Sequence, residues 1–313
     1  MLQKLEKILL VTVLVLLAGQ TNAWAEKSVG VIMSGDLSRY QEAHKAFVSA
    51  LSRAGYDQGK VTIYVQTPNP DLMSWTNAVR KFVGVGVDCI VTYGGGAAMA
   101  AVKETTSIPI VFSFVYNPGA CGVKKQNSTG VSARVPMITL LKTLKSIKPC
   151  SKLAVVYNPD ETDSVAQLDE AEKNGAGLGI QIIEVSVKTS ADVKGRVPRA
   201  LETSDSVFIS NSAVACREAG GIIASASKRS QPAISQASGM TEKGALIALA
   251  PSASEQGEIA AAQVARVLRG DPPSGIALEN ARKVDLVLNL KAANALGLKV
   301  PFDVLNAATK VIK

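Results

Sequence analysis

The residues able to do chemistry sit where short apolar runs end. Ser34-Gly35-Asp36 follow one such run, and Tyr93 with Gly94-Gly95-Gly96 another. Tyr116 and Asn117 close a third, and Asn158, Asp163 and Ser164 follow a fourth. Asn211-Ser212 and Ser235-Gln236 complete the set. These groups are mostly uncharged hydrogen-bonding side chains, with two tyrosine rings. Such a set suits reversible binding of a small polar or amphipathic ligand. Acid–base work would need a positioned partner pair. Asp36 and Asp163 could form a carboxylate pair, but contact with a ligand or capping of a helix is the favoured role for each. His44 is the only histidine; it falls mid-helix and reads as a surface or packing residue. No G-x-S-x-G, Walker A or zinc pattern occurs, so neither an enzyme nor a cofactor is expected. The triple glycine lacks dinucleotide-fingerprint spacing and follows the third strand rather than the first. It would let backbone N–H groups approach a ligand closely.

Elements of α/β type must position these groups. Leu153–Tyr157 is an apolar, β-branched run broken by Asn158-Pro159-Asp160. Helical periodicity starts near Asp163, so this unit is a strand, a polar loop and a helix N-terminus. Strands are also predicted over 29–33, 61–66, 89–93 and 110–115, alternating with helices over 38–54, 71–83 and 97–104. After the polar break at 126–134 the pattern restarts with a helix over 137–147. Strands over 153–157, 180–187, 207–210 and 233–235 then alternate with helices near 163–178, 191–202, 213–229 and 254–269. Strand–helix alternation implies βαβ units and parallel sheets. Two similar halves imply two α/β lobes side by side. The expected division is 28–134 plus 250–275 for the first and 135–249 plus 276–313 for the second. Three crossings, near Arg134, Ala250 and Gly275, would form a hinge.

Residues 1–25 read as a cleaved signal peptide. Lys4 and Lys7 precede the 12-residue apolar core Ile8–Gly19, and Ala23-Trp24-Ala25 is a cleavage pattern. That core is short against the ~20 residues of a membrane span. Cleavage after Ala25 and a periplasmic location are expected. Of 313 residues, 47% are hydrophobic and 4% aromatic, with formal net charge +8. No basic run of five or more occurs, so nucleic acid is not an expected partner. Cys89, Cys121, Cys150 and Cys216 form no CxxC pair. An oxidising compartment would allow a bridge, with Cys121–Cys150 as the candidate.

The chain carries VGVI at 29–32, IPIVFSFVYNP at 108–118, NSTGVS at 127–132, LAVVYNP at 153–159 with DSVAQ at 163–167, KGALIAL at 243–249 and LVLNLKAANALGLKVP at 286–301. In this order and spacing it resembles the substrate-binding proteins of ABC importers of the TrpX type. The resemblance covers nearly all of the mature chain. It implies the type I periplasmic-binding-protein fold: two Rossmann-like parallel-sheet domains, a three-strand hinge and a ligand, an amino acid or a related compound, between them. It also implies a monomer and an ABC permease in the inner membrane as partner. By resemblance the ligand groups fall on Gly95, Gly96, Asn117, Asn158, Asp163, Ser164, the loop Asn211–Ala213 and Gln236–Ala237. Five residues depart from the family pattern. Gly95-Gly96 stand where a Thr-Pro cap for a ligand carboxylate is usual. Ser212 and Ala237 stand where acidic residues are expected, and Asp163 where an Asn is usual. An ammonium group could pair with Asp163 or Asp36. A ligand-sensing module for a membrane receptor uses the same fold and is the alternative reading.

Overall fold

The computed structural model describes residues 26–313. The signal segment expected over 1–25 lies outside them. The first sheet begins with β1 (Lys27–Met33), α1 (Ser38–Arg53), β2 (Val61–Gln66), α2 (Leu72–Val85), β3 (Cys89–Tyr93), α3 (Gly95–Glu104), β4 (Ile110–Val115) and β5 (Ser128–Ser132). The second is built by α4 (Met137–Ile147), β6 (Lys152–Tyr157), α5 (Thr162–Ala176), β7 (Gln181–Ser186), α6 (Ser190–Ala200), β8 (Ser206–Ile209), α7 (Ala213–Arg217), α8 (Ala219–Ser227), β9 (Ala233–Ser235) and β10 (Ile247–Pro251). The chain then returns to the first lobe for α9 (Ala253–Leu268) and β11 (Glu279–Asn280). Finally β12 (Val284–Asn289), α10 (Leu290–Ala295), α11 (Phe302–Ala307) and β13 (Lys310–Ile312) complete the second.

Strand order is β11-β5-β4-β3-β1-β2 in one sheet and β13-β12-β10-β9-β8-β6-β7 in the other. β3 and β4 are buried along their whole length, as continuous apolar runs with both sheet faces covered require. β2 lies at an edge, where VTIYVQ exposes Tyr64 and Val65. α1 buries Tyr40, Ala43, Phe47 and Leu51 along one stripe. It meets α9 closely, because a Cβ on Gly257 would overlap the Ala43 carbonyl.

Three expectations change. The helix read over 213–229 breaks at Glu218 into α7 and α8. The extended stretch read over 276–290 splits between the two sheets. Glu279–Asn280 still pair with β5, so the third crossing falls at 281–283 rather than near Gly275. β12 also runs antiparallel to β10, with Pro251 opposite Val284. The reason is geometric: β10 ends where the crossings lie and β12 begins there, so the two must run in opposite directions.

The crossings lie side by side. Ala281 N–H donates to the Ser132 carbonyl at 3.2 Å, and Ser252 N–H to the Lys283 carbonyl at 2.9 Å. Glu255, buried in α9, accepts from Arg282 N–H at 2.9 Å and Lys283 N–H at 2.8 Å. All four cysteines are free thiols. The Cys121–Cys150 bridge does not form, because Cys121 packs in the core of the first lobe and Cys150 in that of the second.

Candidate ligand site between the lobes

Asp163, in the first turn of α5, reaches out of its own lobe. Its Oδ1 accepts from Tyr116 N–H at 2.8 Å, Asn117 N–H at 3.3 Å and the Cys121 thiol at 3.0 Å. Gly95 N–H also donates to this carboxylate. Among the described residues Asp163 therefore neither caps α5 nor pairs with a cationic side chain. It occupies the N-terminus of α3 in the opposite lobe, where free N–H groups and the helix dipole favour an anion. Gly95 permits the approach, since a Cβ there would overlap Asp163 Oδ2. Burial pushes the Asp163 carboxyl above its ordinary range; the Cys121, Asn117, Tyr116 and Gly95 donors only partly oppose this.

Glu161 precedes the same helix. Its carboxylate accepts from Asn158 Nδ2, Ser212 Oγ and Ala213 N–H, each at 2.9 Å. Burial again raises its pKa, against those donors. Ser34 Oγ accepts from Ala97 N–H at 3.1 Å and so caps the first turn of α3. Gln167 joins two loops: its Oε1 accepts from Asn211 N–H at 2.6 Å and its Nε2 donates to Gln236 Oε1 at 2.9 Å.

Of the residues singled out in the sequence, Ser34, Gly95, Gly96, Asp163, Asn211 and Gln236, with Ala213 and Ala237 of the same loops, line one narrow cavity of about 20 Å³ between the lobes. The others surround it or lie elsewhere. Asn158 and Ser164 bond to each other, Asn158 N–H to Ser164 Oγ at 3.0 Å and Ser164 Oγ to the Asn158 carbonyl at 2.7 Å, and so shape the loop. Ser212 is held by Glu161. Asn117 Oδ1 closes a turn by accepting from Ala120 N–H. Tyr116 presents its backbone to the cleft, while its hydroxyl donates to Glu170 Oε2 at 2.7 Å. Tyr93 is buried beneath Tyr40, with ring centroids 6.1 Å apart. Asp36 is exposed in a separate groove beside Pro68, Pro70 and Arg217. His44 packs against Phe47 and Tyr93, and burial lowers its pKa.

Among the cavity residues that escaped the sequence reading are Arg39, Tyr40, Phe114 and Glu161. Arg39 and Tyr40 lie one turn beyond the Ser34–Asp36 loop, and Glu161 lies between Asn158 and Asp163. Extending each loop by one helical turn would have found them. Phe114 carried no such signal. Its φ is +58°, in a bulge of β4 between Phe112 and Val115. A bulge re-aims a side chain, and this one sets the Phe114 ring edge-on to Tyr40 at 5.3 Å. Gln256 stabilises the bulge by accepting from Phe114 N–H at 3.0 Å.

The profile of the family described as ABC transporter substrate binding protein matches residues 28–312. The chain belongs to the ABC transporter substrate-binding protein family. Solved relatives have the same two-lobed fold. A conserved domain protein from Vibrio cholerae O1 biovar El Tor superposes on this substrate-binding protein with TM-score 0.88 at 28% identity, covering 92% of this chain and 100% of that one. A Streptococcus pneumoniae ABC domain in complex with L-Trp also gives TM-score 0.88, at 20% identity over 92% of this chain and 100% of that one. The tyrosine-binding protein of Clostridioides difficile is 23% identical over 288 residues, 90% of this chain and 84% of its own length. The type I periplasmic-binding-protein architecture expected from the resemblance is thus the fold of this substrate-binding protein. Among its described residues no helix is long and apolar enough to cross a membrane.

Proposed function

We propose that this protein is the periplasmic substrate-binding component of an ABC importer. It takes a small polar ligand, an amino acid or a close relative, between its lobes and presents it to a permease in the inner membrane. One observation carries this reading. Charged and polar groups from both lobes converge on a single cavity at the carboxyl ends of the parallel strands, where open α/β sheets bind ligands. Arg39, Ser34 and the α3 N-terminus come from one lobe; Glu161, Asp163, Asn211 and Gln236 come from the other. Tyr40 and Phe114 add an apolar wall suited to a hydrophobic side chain. The ligands named for the pneumococcal and clostridial relatives, L-Trp and tyrosine, support an amino acid.

At about 20 Å³ the cavity has room for about one water. Admitting an amino acid requires the lobes to part, and the crossings at 133–136, 252 and 281–283 are the covalent connections about which they can turn. The test is thermal shift across amino acids, nucleosides and small amides, since binding to the native state raises the melting temperature. Small-angle scattering with the best ligand follows. Stabilisation by an amino acid with contraction on binding is expected. Stabilisation by nucleosides alone, or an unchanged radius at saturation, overturns the reading.

A further inference from the structure

We propose that Arg39 is the residue that selects the ligand, by receiving its carboxylate. This rests on the amino-acid reading above and narrows it. An anion entering an α/β cleft would ordinarily settle at a helix N-terminus. Here that place is taken. The N–H groups of Gly95, Tyr116 and Asn117 all donate to Asp163 of this chain, and a second anion beside them would meet its charge.

Arg39 is the cation left to receive one. It stands in the first turn of α1, 5% exposed, and lines the cavity. Nη1 lies 3.4 Å from Cys216 Sγ and Nη2 lies 3.3 Å from the Tyr40 hydroxyl, with Cζ 4.7 Å from the Tyr40 ring centroid. A thiol and a phenol are poor substitutes for a carboxylate. No Asp or Glu pairs with Arg39 among the described residues. Glu161 and Asp163 line the same cavity, yet each is occupied by other donors. A buried guanidinium without an anion is costly, and its planar fork matches a carboxylate with two parallel hydrogen bonds.

Two further features fit. Asn211 Oδ1 and Ser238 Oγ line the cavity as buried atoms without a hydrogen-bond partner among the described residues. Asn211 Oδ1 can accept only, as an ammonium group needs. Arg39 and Ser238 also border a second, open groove of about 540 Å³. The ligand class is therefore a monocarboxylate carrying an amino group, and amides or amines of the same skeleton should be rejected.

Calorimetry on the mature protein tests this with L-tryptophan, L-tyrosine and L-leucine. Each is compared with its primary amide, its decarboxylated amine and its deaminated acid, on wild type, Arg39→Met and Arg39→Lys. Wild type should bind at least one amino acid and bind its amide and amine at least a hundredfold more weakly. Arg39→Met should lose about a hundredfold for the acid and under threefold for the amide, with Arg39→Lys between. Equal binding of acid and amide, or an Arg39→Met that holds the acid within threefold, overturns the Arg39 assignment and leaves the amino-acid reading standing. Arg39-dependent binding of deaminated acids alone keeps the assignment and overturns the amino-acid reading. A wild type that binds no carboxylate of the panel overturns the assignment too. Should Arg39→Met not fold, the comparison of acid with amide on wild type decides.

Discussion

The Asp163 carboxylate of the second lobe takes the Tyr116 backbone N–H of the first at 2.8 Å, across the cleft. An acidic group of one lobe thus fills the amide-lined recess of the other. The two lobes meet there through a contact the protein makes with itself, and the charge on that contact depends on pH.

The ordinary values are 3.8 for Asp163 and 4.5 for Glu161, and burial raises both in the folded protein. The native chain then holds these protons at pH values where the unfolded chain has released them. Their contribution is fully favourable below the ordinary values and is lost as pH rises through the raised ones. Asp163→Asn and Glu161→Gln remove that dependence. The melting temperature of each variant minus that of wild type should therefore increase between about pH 4 and pH 7. Thermal unfolding across that range checks it, and a difference that stays flat or shrinks rejects the raised values.

Gly95→Ala should separate folding from closure. Ala favours a helix over Gly by up to about 1 kcal/mol, so stability should hold or rise. The new Cβ overlaps Asp163 Oδ2 only when the lobes are together. Ligand affinity should fall, and scattering at high ligand should keep the radius of the free protein. A variant that contracts like wild type would show that this contact does not govern closure.

Gly257→Ala should instead damage the first lobe itself. Its Cβ would meet the Ala43 carbonyl, a backbone atom that cannot swing aside. Overpacking of this kind costs about 1–3 kcal/mol. Urea unfolding should show a lower midpoint, and a stability equal to wild type would mean that α1 and α9 can slide apart freely.

Glu255→Ala removes the acceptor for two N–H groups at the third crossing, Arg282 and Lys283. Arg282 and Lys283 are exposed and these bonds only partly buried, so the loss should stay below the ~1–3 kcal/mol of a fully buried unpaired donor. Hydrogen exchange should speed up at these two amides before it changes in β3 or β4. Unchanged protection there would mean that Glu255 does not hold the third crossing.

Most of the scaffold was legible in the sequence. The limits read for Val61–Gln66, Cys89–Tyr93, Ile110–Val115 and Met137–Ile147 agree with the structure, since apolar period and turn residues are local properties. Ser34, Gly95, Gly96, Asp163, Asn211 and Gln236 were also legible as cavity residues, because parallel sheets gather their loops at one end. The antiparallel β12 was not, since its direction depends on where the chain crosses between lobes.

The sequence by itself determined two α/β lobes, their order of elements and the loops that meet between them. Only the tertiary structure decided what those loops do to one another. Arg39 meets Cys216 from 177 positions away, and Asp163 meets Tyr116 from 47. Phe114 enters the cavity because a bulge held by Gln256, 142 positions on, reverses its φ. Periodicity and capping report only on neighbours within a turn or two. The partner of a buried charge is set by which distant surfaces come together, and no local pattern encodes that choice.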